Sequence, residues 1–136
     1  MELVKQFDLP SHDVLFLNEY GCPWETIIDG SHWVLLHEFS TRHPGYNHEF
    51  VTAAIRIETG YPKATLDMVY FSPHLARVDG KPINRTNAIQ MIKGIKYQRW
   101  SRHYTKANPF VPGEHNLGTH ILTIEDWLLR EYQSKE

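Results

Sequence analysis

Side chains that could carry out chemistry lie mostly in the second half of the chain, apart from a single thiol. Cys22 is the only cysteine, and it stands between Gly21 and Pro23. One thiol excludes an internal disulfide and a zinc cluster built on cysteines. A reactive thiolate needs a nearby cation or a helix N-terminus, whereas Cys22 follows the end of a predicted helix. We therefore expect Cys22 to be a small apolar residue that fills space.

Three histidines near the C-terminus are candidates for proton transfer or metal binding. His103 lies in a basic run, while His115 and His120 are five residues apart. That separation is not the spacing of a metal-binding pair on one helix, so we expect no metal and no other cofactor. The favoured interpretation is structural: His120 hydrogen-bonds the backbone of a loop, and His103 packs on Trp100.

Charge is distributed unevenly along the chain although the net charge is only -2. Residues 77–106 contain eight basic residues and one acidic residue, whereas the rest of the chain contains six basic and fifteen acidic residues. The basic stretch could attract an acidic partner, or it could be a solvated pair of strands. Nucleic acid is a weaker hypothesis, because no nucleic-acid-binding motif accompanies the charge and the isoelectric point is about 6.5.

Length and composition predict one soluble domain. The chain has 136 residues, of which 41% are hydrophobic, and a single domain spanning residues 1–136 matches this size. No apolar run approaches the length of a membrane span. Because Glu2, Lys5 and Asp8 are charged, we expect no secretory signal at the N-terminus. We therefore expect a cytoplasmic protein that does not contact a membrane.

Periodicity predicts an α+β fold in which helices flank a run of antiparallel strands. A short helix begins at Ser11 and ends at Gly21, and a second begins at Asn116. The second helix places four apolar residues on one face: Leu117, Ile121, Ile124 and Leu128. Four strands are expected between the helices, at Trp24–Ile28, His32–Phe39, Glu49–Thr59 and Leu66–Phe71. A long irregular segment, Ser72–Asn87, follows them, and then a hairpin at Ala88–Trp100 that turns at Lys93 and Gly94.

Several short motifs occur in a known order along these elements. They are Tyr61-Pro62, Ser72-Pro73-His74-Leu75, Asp79-Gly80, Gln98-Arg99-Trp100-Ser101-Arg102-His103, Pro112-Gly113, Asn116-Leu117 and Thr119-His120. From about Leu9 to Leu129 the sequence resembles the ubiquitin-conjugating enzymes, and within that superfamily it is most similar to the prokaryotic ubiquitin-conjugating-like family E. The resemblance implies an N-terminal helix, a four-stranded antiparallel meander, an active-site-like loop and a C-terminal helix.

The resemblance also implies which residues occupy the reactive positions. Aligned from Pro73, the catalytic cysteine of the family falls on Ile83, and the asparagine that stabilises an oxyanion falls on His74. Isoleucine cannot form a thioester, so the usual transfer reaction is not expected on this loop. His74 could donate a hydrogen bond to an oxyanion, or it could simply hold the loop in place.

The preferred hypothesis is a pseudoenzyme that acts as a binding or accessory component of a bacterial ubiquitin-like modification system. The resemblance implies three kinds of partner: a ubiquitin-like protein, an activating-enzyme-like protein and a metal-dependent deubiquitinase-like peptidase. Arg99 and Arg102 are the candidate partner-binding residues, since arginine is favoured at interfaces.

Three alternatives stay open. The first is a transfer or hydrolytic enzyme that needs no cysteine and uses His74, Ser101 and His103. A serine, a histidine and an acid such as Asp79 could form a triad, but no nucleophile-elbow motif supports one. In the second alternative Cys22 is a relocated nucleophile, and in the third the basic stretch binds nucleic acid.

Overall fold

A computed structural model of the protein describes residues 2–133. Two helices and six strands follow one another as α1 (Ser11–Tyr20), β1 (Trp24–Asp29), β2 (Ser31–Ser40), β3 (Phe50–Ile57), β4 (Val69–Ser72), β5 (Ala88–Ile92), β6 (Ile95–Trp100) and α2 (Leu117–Arg130). The α+β class is therefore confirmed. Within residues 2–133, no helix is long and apolar enough to cross a membrane.

The sheet is larger than the four-stranded meander that the sequence predicts. Strands β1 to β4 do form an antiparallel meander, and the predicted hairpin then adds two more strands, giving the order β1-β2-β3-β4-β6-β5. The hairpin turns at Lys93 and Gly94, whose φ angles of 52° and 78° are those of a type I′ turn. Because β6 pairs with β4, the hairpin extends the same sheet, and β5 becomes its outer strand.

Both helices pack on one face of this sheet. The face of α2 that carries Leu117, Ile121, Ile124 and Leu128 is fully buried, as the helical period predicts. Asn116 caps α2 through a capping box with Thr119, which satisfies backbone donors that a helix N-terminus leaves free. Helix α1 ends at Gly21 in the left-handed conformation. Its first residue is Ser11, and the preceding Pro10 occupies the cap position without a side-chain hydrogen bond.

The opposite face of the sheet also carries a buried cluster, which includes Trp33, Tyr70, Ile92 and Tyr97. The β5–β6 hairpin helps to cover this face. Its tip reaches the β1–β2 turn, where the backbone N–H of Lys93 donates to Asp29 Oδ2 at 2.7 Å. The sheet is therefore buried on both faces over much of its area.

Candidate functional site

The segment between β4 and β5, residues 73–87, is held in place by the side chain of Gln98 on β6. Gln98 Oε1 accepts from the backbone N–H of Leu75 and from Trp100 Nε1, each at 3.0 Å. Gln98 Nε2 donates to the Leu75 carbonyl at 3.0 Å and contacts His74 Nε2 at 3.1 Å. Gln98 is buried, so one amide satisfies polar groups that have little access to water.

A second amide holds the same segment from the β2–β3 connection. Asn47 Oδ1 accepts from the Ala76 N–H at 2.9 Å, and Asn47 Nδ2 donates to the His74 carbonyl at 3.2 Å. The Asn47 backbone N–H donates to the Ala76 carbonyl, and the Val78 N–H donates to the Gly45 carbonyl. Residues 74–78 are thus bonded on both sides, by β6 and by the β2–β3 connection.

Arg77 anchors the tip of the segment. Its guanidinium pairs with Asp79 at 2.6 Å, donates to the Glu131 carbonyl and lies 4.0 Å above the Tyr132 ring. The Arg77 hydrogen bond, together with the Lys81 N–H, lowers the pKa of Asp79 to about 2. Asp79 is therefore a permanently charged partner of arginine at neutral pH, which does not suit it to proton transfer.

The second half of the segment is held from the end of β6. Ser101 N–H donates to the Arg85 carbonyl at 3.0 Å, and Arg102 donates to the Asn84 carbonyl at 3.0 Å. Arg102 also pairs with Glu131 at 2.9 Å and lies 4.9 Å above the Trp100 ring. One of the two predicted partner-binding arginines thus already serves the fold.

The other predicted partner-binding arginine, Arg99, is half-buried on the second face of the sheet. It lies opposite Tyr70 of β4 and Ala88 of β5. Its Nε atom is buried and has no hydrogen-bond partner among the described residues. The partner-binding role of Arg99 and Arg102 stays a prediction.

The histidine and serine residues considered for cysteine-independent chemistry are held by different partners. His74 is exposed and contacts Gln98, whereas His103 is bonded to Asp67 at 2.7 Å. The β4–β6 register pairs Phe71 with Gln98 and Val69 with Trp100, so His74 and His103 lie beyond opposite ends of β4. Among residues 2–133, no hydrogen bond joins His74, Ser101 and His103 to one another. Their catalytic roles stay a prediction.

His120 contacts loop backbone as expected, whereas His103 does not pack on Trp100. His120 Nε2 lies 2.9 Å from the Met68 carbonyl, and its Nδ1 lies 2.6 Å from the Tyr104 hydroxyl. Burial lowers the pKa of His120 to about 4, so this imidazole is neutral at physiological pH. His103 does not stack on Trp100, because Arg102 occupies the space above that ring and His103 turns instead to Asp67.

Cys22 is partly buried between α1 and β1, and its Sγ lies 3.7 Å from the Glu38 carbonyl oxygen. Burial raises the pKa of the Cys22 thiol, and the nearby Glu38 and Glu125 raise it further, while Arg42 opposes them. A raised thiol pKa reduces the fraction of thiolate at neutral pH, and the thiolate is the nucleophile.

Ile83, which occupies the cysteine position in the alignment, is half-buried and packs against the core between the sheet and the helices. Its carbonyl accepts from the Thr86 hydroxyl at 2.8 Å. Within residues 73–87 there is no thiol. Among the residues that the structure describes, no group of three His, Cys, Asp or Glu side chains could hold a metal ion.

One known protein family matches most of the chain. A family model described as Prokaryotic E2 family E matches residues 9–131. The chain belongs to this family. No curated protein and no solved structure matches the chain.

In this E2 family E protein, Tyr61 of the Tyr61-Pro62 motif connects the helices. Its hydroxyl donates to Asp13 Oδ2 of α1 at 2.6 Å and accepts from the Leu117 N–H of α2 at 2.7 Å. Asp13 is buried, and burial raises its pKa. This motif position therefore serves the packing of α1, α2 and the β3–β4 connection.

The sequence places Gln98 in a family motif, but it does not predict that the side-chain amides of Gln98 and Asn47 hold residues 73–87 in place. Gln98 had a weak signal, because it stands between Tyr97 and Trp100 in a strand that is buried on both faces, where an uncharged polar residue needs a partner. Asn47 had none, since asparagine is common in loops near Pro44 and Gly45. Their contacts reach 23 to 29 residues along the chain.

Proposed function

We propose that this protein is a binding or accessory component of a prokaryotic ubiquitin-like modification system and does not carry the activated thioester itself. The observation that carries the proposal is a loop without a thiol, in which Ile83, the residue that the alignment from Pro73 predicts at the family's cysteine position, is half-buried against the core. Membership in an E2-like family supports the kind of system. It also supports two kinds of partner, a ubiquitin-like protein and an activating-enzyme-like protein.

The state of the loop supports binding rather than transfer. Residues 74–79 are bonded to Gln98, Asn47, Gly45 and Glu131, so the segment presents one conformation to a partner. A preformed surface avoids the entropy cost of ordering a loop during association. Cys22 supports the same conclusion, since its surroundings favour the protonated thiol. We also propose that the protein is cytoplasmic, as we expect of the modification system that it would serve.

The test combines a binding measurement with an attempt to trap an adduct. The protein would be titrated by calorimetry with the ubiquitin-like and activating-enzyme-like proteins encoded in the same genome. It would then be incubated with both proteins and ATP, and analysed on non-reducing gels. We expect binding without a reducible adduct, and the same result for Cys22→Ala.

The Ile83→Cys variant provides the matched control, because it restores a thiol at the aligned position. An adduct formed by Ile83→Cys and absent from the unmodified chain would assign the missing reaction to this one side chain. Absence of binding to either partner would contradict the proposal. A reducible adduct of the unmodified chain that disappears in Cys22→Ala would make Cys22 the nucleophile instead.

A further inference from the structure

The two edges of the sheet differ in whether another segment of the chain pairs with them. At the β1 edge, residues 4–6 run alongside the strand: Thr26 N–H donates to the Val4 carbonyl at 3.1 Å, and Gln6 N–H donates to the Thr26 carbonyl at 2.9 Å. Glu25 Oε1 also accepts from the Val4 N–H. The chain's own N-terminal segment therefore occupies one edge. The other edge is β5, which pairs with β6 on its inner side.

The register of the hairpin shows which backbone groups of β5 point outward. The two-residue turn makes Ile92 and Ile95 a hydrogen-bonded pair, and such pairs alternate along an antiparallel ladder. Ile89 and Met91 therefore belong to non-hydrogen-bonded pairs, and their N–H and C=O groups point away from β6. In the described part of the chain, the Met91 carbonyl accepts from the half-buried side chain of Gln90 at 3.1 Å, and the Ile89 and Met91 N–H groups have no acceptor.

The side chains of the same two residues are exposed apolar groups. Ile89 is 51% exposed and Met91 is 48% exposed, and both project on the face opposite to Ile92 and Tyr97. Unpaired backbone groups next to exposed apolar side chains are the features that a sheet edge offers to an added strand.

Charge selects the kind of strand that this edge would accept. Arg85 precedes β5, Lys93 follows it, and Lys96 lies across the ladder from Met91 on the same face. All three are exposed, and none takes part in an ion pair within residues 2–133. Three cations on or beside this edge repel the same edge of a second copy and attract a strand with carboxylates.

We propose that β5 is a docking edge for an extended acidic segment of a partner protein, which adds to the sheet as a seventh strand. The segment would pair its backbone with Ile89 and Met91 and lay apolar side chains on theirs. Acidic side chains on that same face and at the ends of the segment would be directed toward Lys96, Lys93 and Arg85. This inference goes beyond the proposed function, because it requires neither a ubiquitin-like partner nor any step of a modification reaction.

The test uses the whole chain and a designed probe, a short blocked peptide that has valine flanked by glutamate at the positions facing Ile89 and Met91, and threonine at the alternate positions. The probe would be titrated into isotope-labelled protein at low salt, with amide shifts and amide hydrogen exchange as the readouts. We expect the shifts to centre on β5 and the exchange of the Ile89 and Met91 amides to slow. A peptide with lysine in place of glutamate should bind at least about tenfold more weakly.

Two further controls separate strand addition from simple charge attraction. Methylation of alternate backbone nitrogens in the probe removes its ladder donors but keeps its charge, and should abolish binding. Met91→Pro removes only an outward N–H, which an edge strand tolerates, and should also abolish binding. Lys96→Glu should weaken binding by about tenfold. Lys63→Glu, which changes a lysine in the connection between β3 and β4, should leave binding unchanged.

Several outcomes would overturn the proposal. One is equal binding of the methylated and unmethylated probes, which would show attraction without strand pairing. Another is a set of shifts away from β5, or no binding at millimolar probe. A third is dimerisation of the free chain through β5, detected by sedimentation and lost in Met91→Pro, which would make a second copy the occupant.

Discussion

The loop of residues 73–87 and strand β5 adjoin each other in the basic stretch, but they use their hydrogen-bonding groups in opposite ways. In the loop, Leu75 and Ala76 have both N–H and C=O bonded to side chains or backbone of other elements. In β5, Ile89 and Met91 direct theirs outward. The backbone groups at the start of the loop are therefore bonded within the protein, whereas in the described part of the chain those on the outer side of β5 are free to pair with a partner.

The largest expected effect comes from Gln98→Leu, which removes the side-chain amide that holds the loop. The substitution keeps the volume but leaves the Leu75 N–H and C=O and the Trp100 N–H without their partner. Buried groups without partners cost about 1–3 kcal/mol each, so we expect a loss of at least about 3 kcal/mol in the free energy of unfolding.

Urea denaturation would measure this loss. Gln90→Leu is the matched control, because its amide contacts only the exposed Met91 carbonyl. The control should change the free energy of unfolding by no more than about 0.5 kcal/mol. Equal effects of the two substitutions would contradict the assignment of Gln98 as the residue that holds the loop.

Amide hydrogen exchange would sharpen the comparison without any substitution. The Leu75 and Ala76 amides donate to Gln98 and Asn47, whereas the Ile89 and Met91 amides have no acceptor in the described chain. Relative to intrinsic rates, we expect the first pair to exchange at least about 100-fold more slowly than the second. Similar protection at both pairs would mean that the β5 edge is already covered.

A smaller effect is expected for Asn47→Ala, which removes the second amide from the loop. Asn47 is exposed, so water can replace its bonds to Ala76 and His74, and the expected cost is about 1 kcal/mol. Thermal or urea unfolding measures it, with Asn87→Ala as the control. Asn87 is exposed and makes no side-chain hydrogen bond in the described chain, so its replacement should be neutral.

The smallest effect concerns pH. The Arg77 hydrogen bond holds the pKa of Asp79 at about 2 in the folded protein, below the ordinary value of 3.8. A lowered folded-state pKa contributes stability above the ordinary value, and that contribution is lost as the pH falls from about 4 to about 2. A carboxyl-detected NMR titration should give a midpoint near 2, and Arg77→Gln should return it toward 3.8. A midpoint near 3.8 in the unmodified chain would exclude the ion pair in solution.

Much of the fold follows from local patterns. The helical period on Leu117, Ile121, Ile124 and Leu128 predicts the buried face of α2, and Lys93-Gly94 predicts the hairpin turn. The position of the hairpin in the sheet does not follow, because the alternation of side chains defines two faces but not a strand's neighbour. The pairing of β6 with β4 is therefore known only from the three-dimensional structure.

The candidate site divides in the same way. The absence of a thiol from residues 73–87 is a property of the sequence, and the order of motifs led to the family that the comparison confirms. The contacts of His103 and Arg102 differ from expectation. Arg102 lies over the Trp100 ring and pairs with Glu131, just after α2, whereas His103 is bonded to Asp67. These partners lie 29 and 36 residues away in the chain, so local patterns do not predict them.

The sequence by itself determined three features of this protein: its family, its succession of helices and strands, and the lack of a thiol in residues 73–87. Tertiary structure alone decided which side chains hold the loop and which edge of the sheet stays open. The physical reason is that a helix or strand pattern depends only on the geometry from one residue to the next. Gln98 and Asn47 instead acquire their roles from partners more than twenty residues away. Strand β5 acquires its role from its place at the edge of the sheet, with a neighbour on one side only.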